Sequence, residues 1–302
     1  MVAEAVRLPA MFCNLAGTLL VLPPMGRRLL GLVIAFLLLT LVFWAVEFFW
    51  PSVPPTPRWR RRGYRTDAFY WFFTPLISKP LTQLSMLVVL APMLWLLGRS
   101  LDRTALLAGY GPLIALPKWL QIVLIVTLGD FIGYWTHRLF HGRRLWPFHA
   151  VHHSSEELDW LSSVRLHPVN EIVSRVCQAL PFVLLGFSPL VVASYLPFLT
   201  FYAIYEHANV SWSYGPLRYV IASPEFHRWH HTKQEEGLDK NFAGLFPVFD
   251  LLFGTFYLPL DKHPTEFGVA GAPLPHGFWG QLTYPFRHRS AETGRSATAA
   301  RS

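Results

Sequence analysis

The chain has 302 residues, of which 52% are apolar and only 15% charged, with 24 Phe, 12 Trp and 11 Tyr, a composition that argues against an ordinary soluble domain and for a surface that meets lipid. The net charge of +8 would suit a nucleic-acid binder, but the arginines cluster beside apolar runs, in RWRRRGYR (58–65) and GRRL (142–145), so no nucleic-acid partner is expected and a juxtamembrane role explains them. The two cysteines, Cys13 and Cys177, are isolated, which argues against a disulfide framework and leaves the redox compartment open.

In chain order, residues 8–25 are apolar but interrupted by Asn14, Gly17 and Pro23-Pro24, a pattern shared by signal sequences, surface segments and short helices. Leu29–Phe49 is apolar except for Thr40 and Glu47 and is long enough to cross a bilayer. The Pro- and Arg-rich residues 51–66 form a surface loop. Leu81–Gly98, which contains Pro92, is the second expected span, and Trp119–Thr136 the third, running directly into His137. Ile172–Glu206 is too long for one crossing, and Gly186-Phe187-Ser188-Pro189 offers a turn, so a helical hairpin that enters and leaves by one face is expected. FPVFDLLFGTFYLP (246–259) is short and apolar, suited to the membrane interface, and the polar tail from His288 reads as disordered. With the 58–65 loop in the cytoplasm, the third span delivers His137 to that same side and the hairpin returns there at His207; Arg27-Arg28 then violates the positive-inside bias mildly.

Ten of the thirteen histidines fall in the 95 residues from His137 to His231, where even scatter would place about four (13 × 95/302). HRLFH sets His137 and His141 at i and i+4, on one helix face, and Asp130 and Tyr134 continue that stripe into the apolar layer. An ionisable residue at such depth is a functional candidate. HAVHH places His149, His152 and His153 at i, i+3 and i+4, and HRWHH repeats the spacing with His227, His230 and His231. Three imidazoles packed together repel one another on protonation, so the arrangement has little purpose without a metal. Eight histidines exceed one coordination sphere and imply two ions; imidazole suits Zn, Cu, Fe and Ni alike. No E-x-x-H occurs in the region, which disfavours a ferritin-like site, and the H-E-x-x-H of a zincin is absent.

HRLFH, HAVHH and HRWHH, in this order, resemble the fatty acid hydroxylase/sterol desaturase superfamily of membrane di-iron oxygenases. DFIGYWTHRLFH, VHHSSEELDWLSSVRLHP, HANVSWSYGPL and NFAGLFPVFDLLFGTFYLP extend the resemblance over about residues 125–260. It implies an all-α integral membrane protein of about four transmembrane helices with a cytoplasmic histidine-rich helical cap. The expected division is an N-terminal membrane segment and basic loop (1–66), a catalytic domain (67–262) and a C-terminal tail (263–302). The resemblance further implies two iron ions, O₂ as co-substrate, a lipid substrate of sterol or fatty-acyl type, and hydroxylation or desaturation of its C–H. HSSEELDWLSSVRLHP looks more like the sterol-desaturase branch than the carotenoid one. Electrons would come from a separate ferredoxin- or cytochrome b5-type donor with an NAD(P)H reductase, in a bacterial plasma membrane or an endoplasmic reticulum.

Carried over residue by residue, the implied ligands are His137 and His141, then His149, His152 and His153, then His227, His230 and His231. His207 resembles the extra histidine of some members; the position four residues earlier, where some relatives carry its pair, is Ala203. His167, in RLHP, is a tenth candidate that could equally be structural. Asp130, Glu206 and Asn241 are candidates for orienting the ligand imidazoles, and Arg165 and Arg228 for balancing a carboxylate or meeting a headgroup. His263, His276 and His288 lie outside the pattern. A non-catalytic metal-binding transporter or sensor is the alternative, disfavoured because the boxes sit at helix ends instead of the bilayer midplane.

Overall fold

The computed structural model describes residues 23–57, 60–98, 102–271 and 274–287; the greater part of the undecided segment, residues 8–22, and the tail from His288 lie outside them. Among the described residues the chain is helical, with only two isolated β-bridges, Pro51 to Val210 and Thr232 to Phe267. Among the described residues three helices are long and apolar enough to cross a membrane: α1 (Pro24–Phe49), α2 (Tyr64–Leu96) and α3 (Lys118–Phe140). Residues to Ala45 form one compact unit and those from Val46 onward a second. Everything that builds the site belongs to the second.

α2 begins well before the expected Leu81. Pro75 and Pro80 remove N–H donors, which in sequence signals a stop. The backbone instead inserts a π turn at Thr74–Ser78, closed by the Lys79 amide on the Thr74 carbonyl, and continues as α-helix from Lys79. At the helix start, Gly63 adopts φ +82°, and a Cβ there would lie 2.5 Å from a guanidinium nitrogen of Arg165, so only glycine admits that side chain.

The expected hairpin is α5 (Pro168–Leu184), a turn through Gly186, a short helix at Pro189–Ser194, and α6 (Leu196–Glu206). Gly186 holds φ +83°, and the Tyr110 carbonyl would sit 1.9 Å from any Cβ. The Tyr110 amide donates to the Gly186 carbonyl (2.7 Å) and its hydroxyl to Val183 (2.7 Å), pinning the approach to α3 onto the hairpin tip. α3 packs against α5, where Ile125, Phe182 and Phe187 form a buried cluster. Two short helices complete the site, α4 (Trp146–His153) and α7 (Pro224–His230).

Candidate metal centre

His137 lies in the last turn of α3 and His141 caps it, so HRLFH presents both rings from one helix end. A tight turn follows, with the Leu145 amide on the Gly142 carbonyl (3.0 Å), and folds α4 back until His149 meets His137. α7 starts on a Ser223 cap, whose hydroxyl accepts from the Phe226 amide (3.2 Å), with Pro224 in its first turn, a favoured helix opening. It carries His227 and His230, with His231 at its C-terminal cap.

These elements gather nine imidazoles into two groups whose potential ligand nitrogens lie within 4.8 Å of one another. His137, His141, His149, His153 and His230 form the first; His152, His207, His227 and His231 form the second. The partition follows helical geometry. In each H-x-x-H-H the i and i+4 rings go together and the i+3 ring turns to the other group. HAVHH therefore gives two rings to the first group and one to the second, and HRWHH does the reverse.

Proton placement shows what the groups need. His137 Nδ1 faces the Phe242 carbonyl (2.8 Å), His152 Nδ1 that of Arg165 (3.2 Å), His207 Nδ1 that of Ala203 (2.6 Å) and His230 Nδ1 that of Lys240 (2.7 Å). His149 Nδ1 faces Asn170 Oδ1 (2.7 Å). These oxygens only accept, so each Nδ1 carries the proton and each Nε2 is a bare lone pair. Yet His137 Nε2 stands 3.0 Å from His149 Nε2, and His152 Nε2 stands 3.2 Å from His207 Nε2. Two lone pairs cannot hydrogen-bond; they repel unless a cation lies among them. The Nε2 atoms of His153 and His149 (3.2 Å), His207 and His227 (3.2 Å), and His227 and His231 (3.1 Å) are spaced as closely, while Nδ1 of His227 and of His231 has no hydrogen-bond partner among the described residues. A metal–imidazole bond of about 2.1 Å sets adjacent ligand nitrogens about 3.0–3.4 Å apart, the spacing found. The buried Nε2 atoms of His141 and His230 have no hydrogen-bond partner. The residues present therefore fit a pair of imidazole-bound metal ions.

Burial, and then mutual repulsion, holds His149, His153, His230 and His231 well below the ordinary imidazole pKa, and His152 and His227 likewise. Burial lowers His207 to about 4. Neutral imidazoles are the metal-binding form.

His167 lies apart from both groups. Its Nε2 donates to the Leu282 carbonyl (3.1 Å) and its Nδ1 accepts from the Val169 amide (3.1 Å), so it caps α5. Asp130 touches no imidazole; it accepts from the Gly244 (3.1 Å) and Phe246 (2.7 Å) amides, fixing the loop that carries the Phe242 carbonyl. Asn241, at φ +59°, clamps the same loop through the Phe226 and Tyr257 carbonyls and the Tyr257 amide. Glu206 is buried at the end of α6 with Oε1 unpartnered, and no ligand histidine donates to it among the described residues. Arg165 pairs with Asp67 (2.5 Å), and fully buried Arg228 donates to the Leu158 carbonyl (3.0 Å) and lies over the Phe267 ring. His263 contacts Glu225, and His276 is exposed.

Sequence reasoning missed Asn170, Asp239, Asp67 and Asp250. Asp239 receives His141 Nδ1 (2.9 Å), and Asp250 holds the Phe242 (2.7 Å) and Ala243 (2.9 Å) amides. Asn170, three residues beyond His167 in the first turn of α5, carried a faint signal as a polar residue entering an apolar helix; the others carried none.

The fatty acid hydroxylase family matches residues 122–255, which include every histidine of both groups. The ornithine lipid hydroxylase of Rhizobium tropici is 34% identical over 175 residues, 57% of this chain and 52% of that protein. The human alkylglycerol monooxygenase is 36% identical over 134 residues, 44% of this chain and 30% of that protein. A very-long-chain aldehyde decarbonylase of Oryza sativa subsp. indica is 32% identical over 153 residues, 46% and 23% of the two chains. The chain thus spans about half or less of the length of these relatives. No solved structure matches it. Residues 122–255, in which three histidine boxes fold into two imidazole groups, are thus a fatty acid hydroxylase-family region.

Proposed function

We propose that the protein is a membrane-embedded di-iron oxygenase that uses O₂ and external electrons to hydroxylate a lipid. The observation that carries this is the close approach of Nε2 atoms within each group, with the Nδ1 protons of His137, His149, His152 and His207 committed elsewhere. His137, His141, His149, His153 and His230 would hold one ion and His152, His207, His227 and His231 the other. When bound, such a centre supplies the capacity to activate O₂ for attack on an unactivated C–H bond. The chain's own residues do the rest. Carbonyls of Phe242, Arg165, Ala203 and Lys240 fix the tautomers and ring directions, as outer partners of ligand histidines do. The Phe242 ring lies 4.9 Å from that of His141 and 5.7 Å from those of His137 and His230, excluding water from the first group's flank.

Two of the three relatives are named as an ornithine lipid hydroxylase and an alkylglycerol monooxygenase, which supports hydroxylation over desaturation and a chain-bearing polar lipid over a sterol. α2 begins and α3 ends on the arginine-rich side, which supports a multi-pass protein whose site faces the cytoplasm. Electrons would come from a separate ferredoxin- or cytochrome b5-type carrier. The test is anaerobic purification with metal analysis, followed by O₂ uptake with lipid extract and reductant. About two irons per chain and uptake that needs both additions are expected; one zinc, or iron without lipid-dependent uptake, refutes the reading and favours a non-catalytic metal-binding protein.

A further inference from the structure

The loop after the third histidine box is clamped at its base and greasy at its tip. At the base, the Asn241 amide donates to the Thr255 carbonyl (2.9 Å), and Asp250 binds the Phe242 and Ala243 amides and the Thr255 hydroxyl (2.6 Å). Asp250 is the single charged residue from Phe246 to Leu260, and it is fully buried. At the tip, Val248, Leu251, Leu252 and Phe253 are exposed, Leu252 by 70%. Such a surface is a liability in water.

Its surroundings say what covers it. Phe249 packs on Phe131 of α3 (5.4 Å between rings), and Phe253 packs on Trp135 (4.8 Å). Trp135 and Leu139 are themselves exposed on α3, so the tip continues the apolar stripe of a helix long enough to cross the bilayer. Trp135 stands near the end of α3, which carries Arg138 and is followed by a turn with Arg143 and Arg144, the level at which tryptophan and arginine meet headgroups. We propose that Val248–Phe253 is a monotopic membrane contact, seated at the boundary of headgroups and acyl chains beside the end of α3. Because the clamp at its base carries the Phe242 carbonyl that receives His137 Nδ1, the lipid surface and the first imidazole group are joined by one hydrogen-bonded loop. The proposal rests on α3 crossing the bilayer, not on the metal or its chemistry.

The full chain with Cys13→Ser and Cys177→Ser, and with Leu252→Cys carrying a bimane label, is reconstituted into phosphatidylcholine vesicles. Separate preparations bear nitroxides near the headgroup or near the chain end. Loss of fluorescence with the shallow nitroxide, weaker loss with the deep one, and protection from aqueous iodide are expected. A label at exposed Glu235→Cys should be quenched by iodide alone, and one at Val123→Cys, on α3 about 18 Å from Trp135 along the helix, by the deep nitroxide. If the 252 label is quenched by iodide like that at 235, the proposal is overturned. If it is protected from iodide yet blind to both nitroxides, protein covers the tip, which also overturns it. A 123 label that reads lipid in either case isolates the failure to this loop, whereas one that reads water removes the span and the proposal together.

Discussion

Asp67→Asn removes one charge from a buried cluster that reaches the second imidazole group. Asp67 is fully buried at the start of α2, with Oδ2 on Arg61 Nη2 (2.6 Å) and Oδ1 on Arg165 Nε (2.5 Å). Arg61 also binds Asp159 (3.1 Å), so two arginines balance two aspartates. The Arg165 carbonyl in turn receives His152 Nδ1. Asparagine preserves the shape but leaves a net positive charge away from water, a change that costs about 3–5 kcal/mol. That is a large part of the about 5–15 kcal/mol that stabilises a typical domain. Arg165 then shifts, its carbonyl leaves His152, and metal affinity at the four-histidine group should fall about 10–100-fold. Thermal unfolding in lipid nanodiscs, with metal titration of the same samples, reads both effects. Asp67→Asn should melt earlier and lose the four-histidine ion first, and Asp67→Glu should recover part of each. A variant with unchanged melting and two ions of unaltered affinity would refute the reasoning.

Asp239→Asn should weaken the five-histidine group selectively, by about 10–100-fold in metal affinity, because its carboxylate orients His141. Asp239 itself is 74% exposed, so folding stability should move by less than about 0.5 kcal/mol; equal weakening of both groups in a metal titration would contradict this. The metal-free protein should lose stability on acidification. Below the ordinary imidazole value the unfolded chain takes up protons that the buried rings refuse, so the unfolded state binds more protons and stability falls with pH. For His207, lowered to about 4, the loss accumulates from about pH 6.5 to about pH 4 and reaches about 3 kcal/mol; the neighbouring histidines act in the same direction. Melting temperature against pH should be flat above this window and fall within it, and a flat profile down to pH 5 would rule out neutral buried imidazoles.

The boxes were legible in the sequence because helical spacing carries them: i, i+3 and i+4 put three rings on one short helix whatever surrounds it. The exchange of His152 and His230 between groups was not, since it arises only when α4 and α7 face each other. His167 shows the limit of counting histidines. Pro168 opens a helix directly behind it, and a ring in that position is drawn to the free amide of Val169. α2 shows the same limit for prolines, where a π turn absorbed what reads as a stop. Asp130 was singled out by its depth in α3, but its role, holding the Gly244 and Phe246 amides, depends on a loop more than a hundred residues away.

The least legible part is the one that decides the chemistry. Four of the six Nδ1 acceptors named above are main-chain carbonyls, which every residue possesses, so no spacing rule can announce them. They commit the protons, the committed protons expose the Nε2 lone pairs, and helix packing drives those lone pairs together. A chain folded this way without metal holds repulsion in its own core. On the proposed function, metal binding and folding of the histidine-bearing helices would be one equilibrium, in which the ions would contribute stability and the carbonyls would determine where they sit.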